Sequence, residues 1–192
     1  MRTGALDLER ALDERGALLE GHFRLSSGRH SAKFVQKFRM LELPSLVERI
    51  AAELIARLHL GTRPTVVVSA AVGGIILGYE VARQLGVPAI FVEKEDGIAT
   101  LRRGFTLAGD DRVLVVEDVV TTGRSVREVL DVVRGTGAGV VAVGAIVRRE
   151  PVDFGVPTVA LLDVPVASFE PAACPLCAAG LPLTEPGSRF LR

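Results

Sequence analysis

The chain has no tryptophan, one tyrosine and eight phenylalanines, so aromatics are only 5% of its 192 residues. A core with few large rings must be built from Val, Leu, Ile and Ala. Those residues dominate parallel sheets covered by helices, and hydrophobic residues make up 48% of the chain, enough for such a core. Net charge is also missing: 23 Lys plus Arg balance 23 Asp plus Glu. That balance disfavours a general nucleic-acid binder, though a local basic patch would escape a whole-chain count. Apolar runs such as 139–147 are too short to span a membrane. The opening MRTGALDLERALDERG places charges where a signal peptide needs an apolar centre. A soluble cytoplasmic protein without a membrane partner is expected. Cysteine is scarce: Cys174 and Cys177 form a single CxxC. A structural zinc site normally takes four ligands, and His22, His30 and His59 have no ligand spacing to this pair. Two CxxC pairs could combine in a dimer, and a redox pair is open. Two reduced thiols in a turn-rich segment is the preferred reading.

The length suits one domain over 1–192 with a substantial core. Periodicity predicts a helix over 6–19, weakened by Gly16, and two extended pieces, 22–25 and 33–36, around the polar stretch 26–31. The clearest helix is 44–58, where Leu46, Val47, Ile50, Ala51, Leu54, Ile55 and Leu58 share one face and Pro44 suits the first position. From Thr65 the pattern alternates. Strands are expected at 65–69, 89–92, 113–116, 140–147 and 158–162, with helices at 75–85 and from Gly123 to Gly135. The polar stretch 93–103 reads as a long mobile loop, and the tail from Pro171 as irregular. No internal repeat is evident. The fold expected is α/β: a central, mainly parallel sheet flanked by helices over about 41–165. A small N-terminal hood near 1–40 completes it, with part of the tail as a candidate contribution.

Val113–Ser125, VLVVEDVVTTGRS, concentrates the chemistry. An apolar run leads into adjacent carboxylates, Glu117 and Asp118, and then into a Thr-Thr-Gly-Arg-Ser turn before a helix. Ligands of open α/β sheets bind where strands end and helices start. Thr121, Thr122, Gly123 and Ser125 offer hydroxyls and N–H groups at a helix N-terminus, which favours a phosphate. Acids for sugar hydroxyls beside a phosphate cup suit a ribose 5-phosphate. A plain buried strand with an acidic edge explains the valines but not the acids followed by TTGRS. Ser69–Gly74, SAAVGG, is a second small-residue loop between strand and helix and could nest an anion; tight helix–strand packing would use its glycines equally well.

The segment 113–125 closely resembles the 13-residue phosphoribosyl pyrophosphate (PRPP) signature of type I phosphoribosyltransferases. The resemblance extends from about Leu8 to Asp163, and it implies that family's fold. It assigns PRPP contacts to Glu117, Asp118, Val119, Val120, Thr121, Thr122, Gly123, Arg124 and Ser125, and pyrophosphate contacts to Ala71, Val72 and Gly73. Some members carry Lys where this chain has Gly73, which shifts weight to other cations. Lys94, Arg102 and Arg103 in EKEDGIATLRR are the candidates for a basic loop that closes over pyrophosphate. Together with Glu117 and Asp118 they make up the catalytic set. A solvated charge run is the alternative for each loop cation.

LSSGRHS at 25–31, with Ala32–Phe34 after it, is similar to a stretch near the start of orotate-using members, where backbone and an aromatic hold the pyrimidine. Phe34, Val35 and Thr121 are the matching orotate contacts, and Ser26 stands where some members have Lys. In IVRRE, Arg148 falls where the resemblance implies an orotate-contacting Arg, with Arg149 as its neighbouring rival. Guanidinium suits the orotate carboxylate. The resemblance therefore implies Mg²⁺-dependent transfer of phosphoribosyl from PRPP to orotate in pyrimidine nucleotide synthesis. It also implies a homodimer that shares its loop, without a nucleic-acid partner. Mg²⁺ would be held mainly through PRPP, and no residue is assigned as a direct ligand, Asp118 being the one candidate. Alternatives are transfer to another base, such as a purine, or a PRPP-sensing regulator. The latter should carry a DNA-reading module, and no helix-turn-helix signal is evident.

Overall fold

Valine-rich stretches become a six-stranded sheet because β-branched side chains pack well on a pleated surface buried on both sides. The computed structural model describes residues 6–25 and 27–186, so Ser26 lies outside the described residues. The elements are α1 (Leu8–Glu14), β1 (Leu18–Arg24), β2 (His30–Val35), α2 (Phe38–Leu41), α3 (Pro44–Leu58), β3 (Val66–Ala70), α4 (Gly73–Leu85) and β4 (Ala89–Glu95). They continue with β5 (Ile98–Leu101), β6 (Arg112–Val120), α5 (Arg124–Gly135), β7 (Gly139–Arg148), β8 (Thr158–Asp163), β9 (Ser168–Phe169) and α6 (Pro175–Ala178). No helix among the described residues is long and apolar enough to cross a membrane.

The large sheet has the order β5-β4-β3-β6-β7-β8. All its pairings are parallel except β4–β5. Side chains alternate between its faces, as strand geometry requires. Val67, Leu114, Val116 and Ile146 join α3 and α4 in one core. Val66, Val68, Val113, Val115 and Val143 meet α5 in the other. From β3 the chain crosses to β4 on one side, and from β6 to β7 on the other. The order therefore reverses between β3 and β6, and a crevice opens beyond their C-terminal ends, the usual ligand position in such sheets.

A separate antiparallel sheet, β1-β2-β9, forms the hood. Its third strand comes from beyond residue 165, and the tail from Pro171 is not wholly irregular: a 3₁₀ turn at Pro171–Ala173 and α6 lie there. Two further expectations are corrected. The predicted helix over 6–19 stops at Glu14, because Leu18 and Leu19 pair with Val35 and Phe34 in the hood. The expected mobile loop at 93–103 is largely a hairpin, in which Glu93, Lys94 and Glu95 pair with Thr100, Ala99 and Ile98. Asp96 and Gly97 turn it with φ of 50° and 83°, and Asp-Gly is a strong hairpin signal for that left-handed geometry.

Candidate functional site

The crevice collects the two loops singled out in the sequence. β6 runs through Glu117 and Asp118 to Val120 before turning at 121–123 into α5. Gly123 adopts φ 75°, and a Cβ there would lie 2.8 Å from the rings and methyls of Phe154 and Val152. The turn therefore requires glycine. Thr121, Thr122, Arg124 and Ser125 are exposed at the start of α5, where first-turn N–H groups lack helical partners. Val120 is different: its side chain is buried in the α5-side core, which leaves only its backbone for a ligand. Val119 is partly buried and belongs to the opposite core.

After β3, the loop 71–72 exposes Ala71 and Val72 and enters α4 at the buried Gly73. A small cleft brings Ala70 and Ala71 together with Lys94, Ser125 and Glu128. Gly73 lies directly against the acids. A Cβ on it would stand 1.7 Å from Asp118 Oδ2 and 2.7 Å from Lys37 Nζ.

Lys37, which no sequence motif marks, follows β2 out of the hood and reaches the site. Its Nζ is 2.7 Å from Asp118 Oδ2, and Asp118 is only 1% exposed. The contact is close but poorly directed, so Oδ2 receives no true hydrogen bond. That oxygen keeps a lone pair for another cation or a hydroxyl. Asp118 Oδ1 accepts from the Val119 N–H at 2.6 Å, and Glu117 Oε1 from the Asp118 N–H at 3.0 Å.

Burial, reinforced by the adjacent Asp118 charge, holds the Glu117 carboxyl well above the ordinary Glu range, while Lys37 pulls the other way. The folded chain therefore binds this proton more tightly than the unfolded chain. Stability must fall as pH rises from near the ordinary Glu value through the folded one, by up to about 1.4 kcal/mol per pH unit. Glu117→Gln keeps an acceptor and removes the charge. Melting curves of this variant are expected to match the parent in acid and to lie above it near neutrality. A variant that is less stable at every pH would refute the penalty.

The basic hairpin is engaged by acids. Lys94 Nζ lies 2.9 Å from Glu128, Arg102 Nη2 3.1 Å from Glu95 and Arg103 Nη2 3.1 Å from Glu93. Only Lys94 lines the cleft with Ser125. In the hood, Phe34 packs near Phe23 at 5.8 Å between ring centroids. Strand alternation sends Phe34 to the face opposite Ser31 and Val35, and the Val35 side chain is buried in the core.

At the end of β7 the two arginines separate. Arg148 is held by Asp163 through Nε at 2.7 Å and Nη2 at 3.0 Å. Arg149 is 9% exposed, with Nη2 3.5 Å from Ser31 Oγ and an unpartnered Nε. Burial pushes its pKa down, opposed by Glu150. A guanidinium is still charged under these conditions, so Arg149 presents a buried cation with a free donor between β7 and the hood. Strand alternation and the Asp163 partner separate the pair; the sequence favours Arg148, with Arg149 as its rival.

The cysteine reading also needs correction. Cys174 and Cys177 lie beside His22 and His30, with their ligand atoms all within 4.8 Å of one another. His22 is two residues from Arg24, whose partner across the hairpin is His30. The histidines are therefore diagonal neighbours on one face, a relation that linear spacing does not reveal.

The chain resembles known proteins over most of its length. The phosphoribosyl transferase domain family matches residues 40–154. An orotate phosphoribosyltransferase of Heliobacterium modesticaldum is 53% identical over 176 residues, covering 90% of this chain and 92% of that relative. One from Carboxydothermus hydrogenoformans is 50% identical over 187 residues, with coverage of 96% and 98%. The crystal structure of orotate phosphoribosyltransferase from Aeropyrum pernix is 29% identical with a TM-score of 0.66, covering 82% of this chain and 93% of that one.

Proposed function

Because this chain belongs to the phosphoribosyltransferase family, among its orotate phosphoribosyltransferases, we propose that it transfers phosphoribosyl from PRPP to orotate. The products are orotidine 5′-monophosphate and pyrophosphate, in pyrimidine nucleotide synthesis. The observation that carries the reading is the buried Glu117–Asp118 pair at the β3/β6 crevice, set between two anion-nesting loops. The chain acts as one transferase unit, soluble in the cytoplasm and paired as a homodimer through which the basic hairpin is shared.

The orotate ring nitrogen attacks the anomeric carbon as the bond to pyrophosphate breaks. Positive charge develops on the ribose and negative charge on the leaving group, so positioning and electrostatics supply the acceleration. Glu117 and Asp118 orient the ribose hydroxyls and stabilise the oxocarbenium-like ribose. Thr121, Thr122, Gly123 and Ser125 hold the 5-phosphate on the α5 N-terminus. Ala71, Val72 and Gly73 line the pyrophosphate position, with Lys94 across the cleft. Lys37 fills the space next to Gly73 and supplies the cation that a lysine at position 73 would have brought. Arg102 and Arg103 join when their pairing with Glu95 and Glu93 is exchanged for pyrophosphate.

A divalent ion fits this donor set. The chain offers few oxygens, as Mg²⁺ prefers when phosphates and waters supply the rest, and Asp118 Oδ2 is a buried oxygen that receives no hydrogen bond. Bound Mg²⁺ would neutralise pyrophosphate charge.

For the base, Arg149 is a better partner than Arg148. A buried guanidinium with an unpartnered Nε matches the carboxylate of orotate, which purine bases lack, whereas Arg148 is already engaged by Asp163. Phe34 and Val35 contribute through backbone rather than by stacking. Arg149→Ala is expected to raise the orotate KM roughly 10- to 100-fold, the size of a lost charge-assisted hydrogen bond, with far less effect on the KM for PRPP. Arg148→Ala should change both only slightly. Equal effects of the two substitutions would dispute the assignment. The reaction itself is tested by mixing the protein with Mg²⁺, PRPP and orotate and following the orotate ultraviolet band. Loss that depends on both protein and PRPP is expected. PRPP binding without that loss would redirect the search to other bases or to a regulator.

A further inference from the structure

The cluster of His22, His30, Cys174 and Cys177 lies between the hood and the tail segment 171–186, away from the β3/β6 crevice. We infer that it is a structural zinc site, which ties the tail to the hood. Ligands at zinc distances of about 2.0–2.3 Å and tetrahedral angles stand about 3.3–3.8 Å from one another. Here His22 Nε2 and His30 Nδ1 are 3.0 Å apart, and Cys174 Sγ is 3.6 Å from His22 Nε2. Cys177 Sγ lies 3.7 Å from His22 Nε2 and 3.2 Å from His30 Nδ1. These four separations are close to edges of one tetrahedron, and all four ligand atoms lie within 4.8 Å of one another.

The orientation of His22 supports a metal over a plain polar contact. Its Nδ1 lies 2.9 Å from the Leu181 carbonyl oxygen and must donate there. Nε2 therefore carries a lone pair aimed into the cluster, the arrangement by which a carbonyl fixes a ligating imidazole. A hydrogen bond between the two histidines would account for one contact. It leaves unexplained why two sulfurs converge on the same two nitrogens. Two thiolates and two neutral imidazoles also balance the charge of Zn²⁺ and give the closed set typical of structural sites.

The surroundings say what the ion would do. β9 pairs with β2 through only His30 with Phe169 and Ser31 with Ser168. Beyond α6, the tail meets β1 along a short stretch: a bridge of Phe23 with Thr184, the Arg24–Glu185 ion pair and the His22–Leu181 hydrogen bond. A bond network from residues 22 and 30 to 174 and 177 would lock these short contacts. It would also hold Ser31, next to His30, within reach of Arg149.

Elemental analysis of the full chain, purified from zinc-supplemented cells, should give one zinc per chain, released by a thiol-blocking mercurial. Reconstitution with Co²⁺ alone should give the intense visible bands of a tetrahedral ion and a thiolate-to-cobalt charge-transfer band. A cobalt ion on the oxygen-rich PRPP site would give neither. Cys177→Ser, at the exposed ligand, and His30→Asn should each abolish the charge-transfer band or weaken it severely, and lower zinc content and melting temperature. The inference fails if the parent chain binds no zinc and shows no thiolate band with Co²⁺. It also fails if both variants retain the parent's zinc, or if Cys174 and Cys177 are recovered as a disulfide from anaerobic preparations.

Discussion

Asp118→Asn is expected to lower turnover about 10²- to 10³-fold, the usual cost of removing one preorganised electrostatic group from a reacting centre. Stability should scarcely change. Asparagine can still accept from the Val119 N–H that Asp118 Oδ1 now binds at 2.6 Å. Lys37, left without its carboxylate, is about one-third exposed and can turn to water. The substitution thus separates charge from shape. Steady-state rates beside melting curves check it: turnover within about twofold of the parent would remove Asp118 from the reacting centre, and a collapse in stability would make it a structural residue.

Gly73→Ala is expected to be nearly as damaging, and for the opposite reason. Alanine favours a helix over glycine by about 1 kcal/mol, and position 73 begins α4. The local backbone should therefore gain. Yet the new Cβ would stand 1.7 Å from Asp118 Oδ2 and 2.7 Å from Lys37 Nζ, so the buried carboxylate must rotate away. Because small displacements of a positioned group are costly, turnover should fall by at least about 100-fold while the melting temperature stays close to that of the parent. In the Asp118→Asn background the same change should cost much less, because the two act through one group. Additive losses would show that Gly73 acts elsewhere, for instance on the loop at 71–72.

How much of this was legible beforehand depends on whether the signal was local. The helix Pro44–Leu58, the valine strands and the acid-then-TTGRS turn all lie within single elements, where periodicity and caps speak directly. The Asp96–Gly97 hairpin was also local, and was missed because its charged flanks masked a turn dipeptide. Lys37 was not legible: its partner Asp118 is far away in sequence, and only the exit angle of β2 brings them together. Arg149 could be preferred over Arg148 only once β7 showed which guanidinium turned inward and which met Asp163. The His22–His30 relation depends on hairpin register, and the approach of Cys174 and Cys177 depends on β9, a strand that follows the whole six-stranded sheet in the chain.

That last dependence sets an order of assembly. During synthesis the β1–β2 hairpin emerges well before its neighbour β9, which follows every strand of the large sheet. Until then β2 has an unpaired edge of the kind that recruits foreign strands, and an isolated two-stranded hairpin is barely stable. The nascent hood must therefore wait, loosely formed, while the nucleotide-binding sheet folds. A released chain truncated between Asp163 and Ser168 would carry every strand of the large sheet beneath an open, sticky hood. Such a chain is a natural client for a chaperone, and its proteolysis should cut first within residues 18–35.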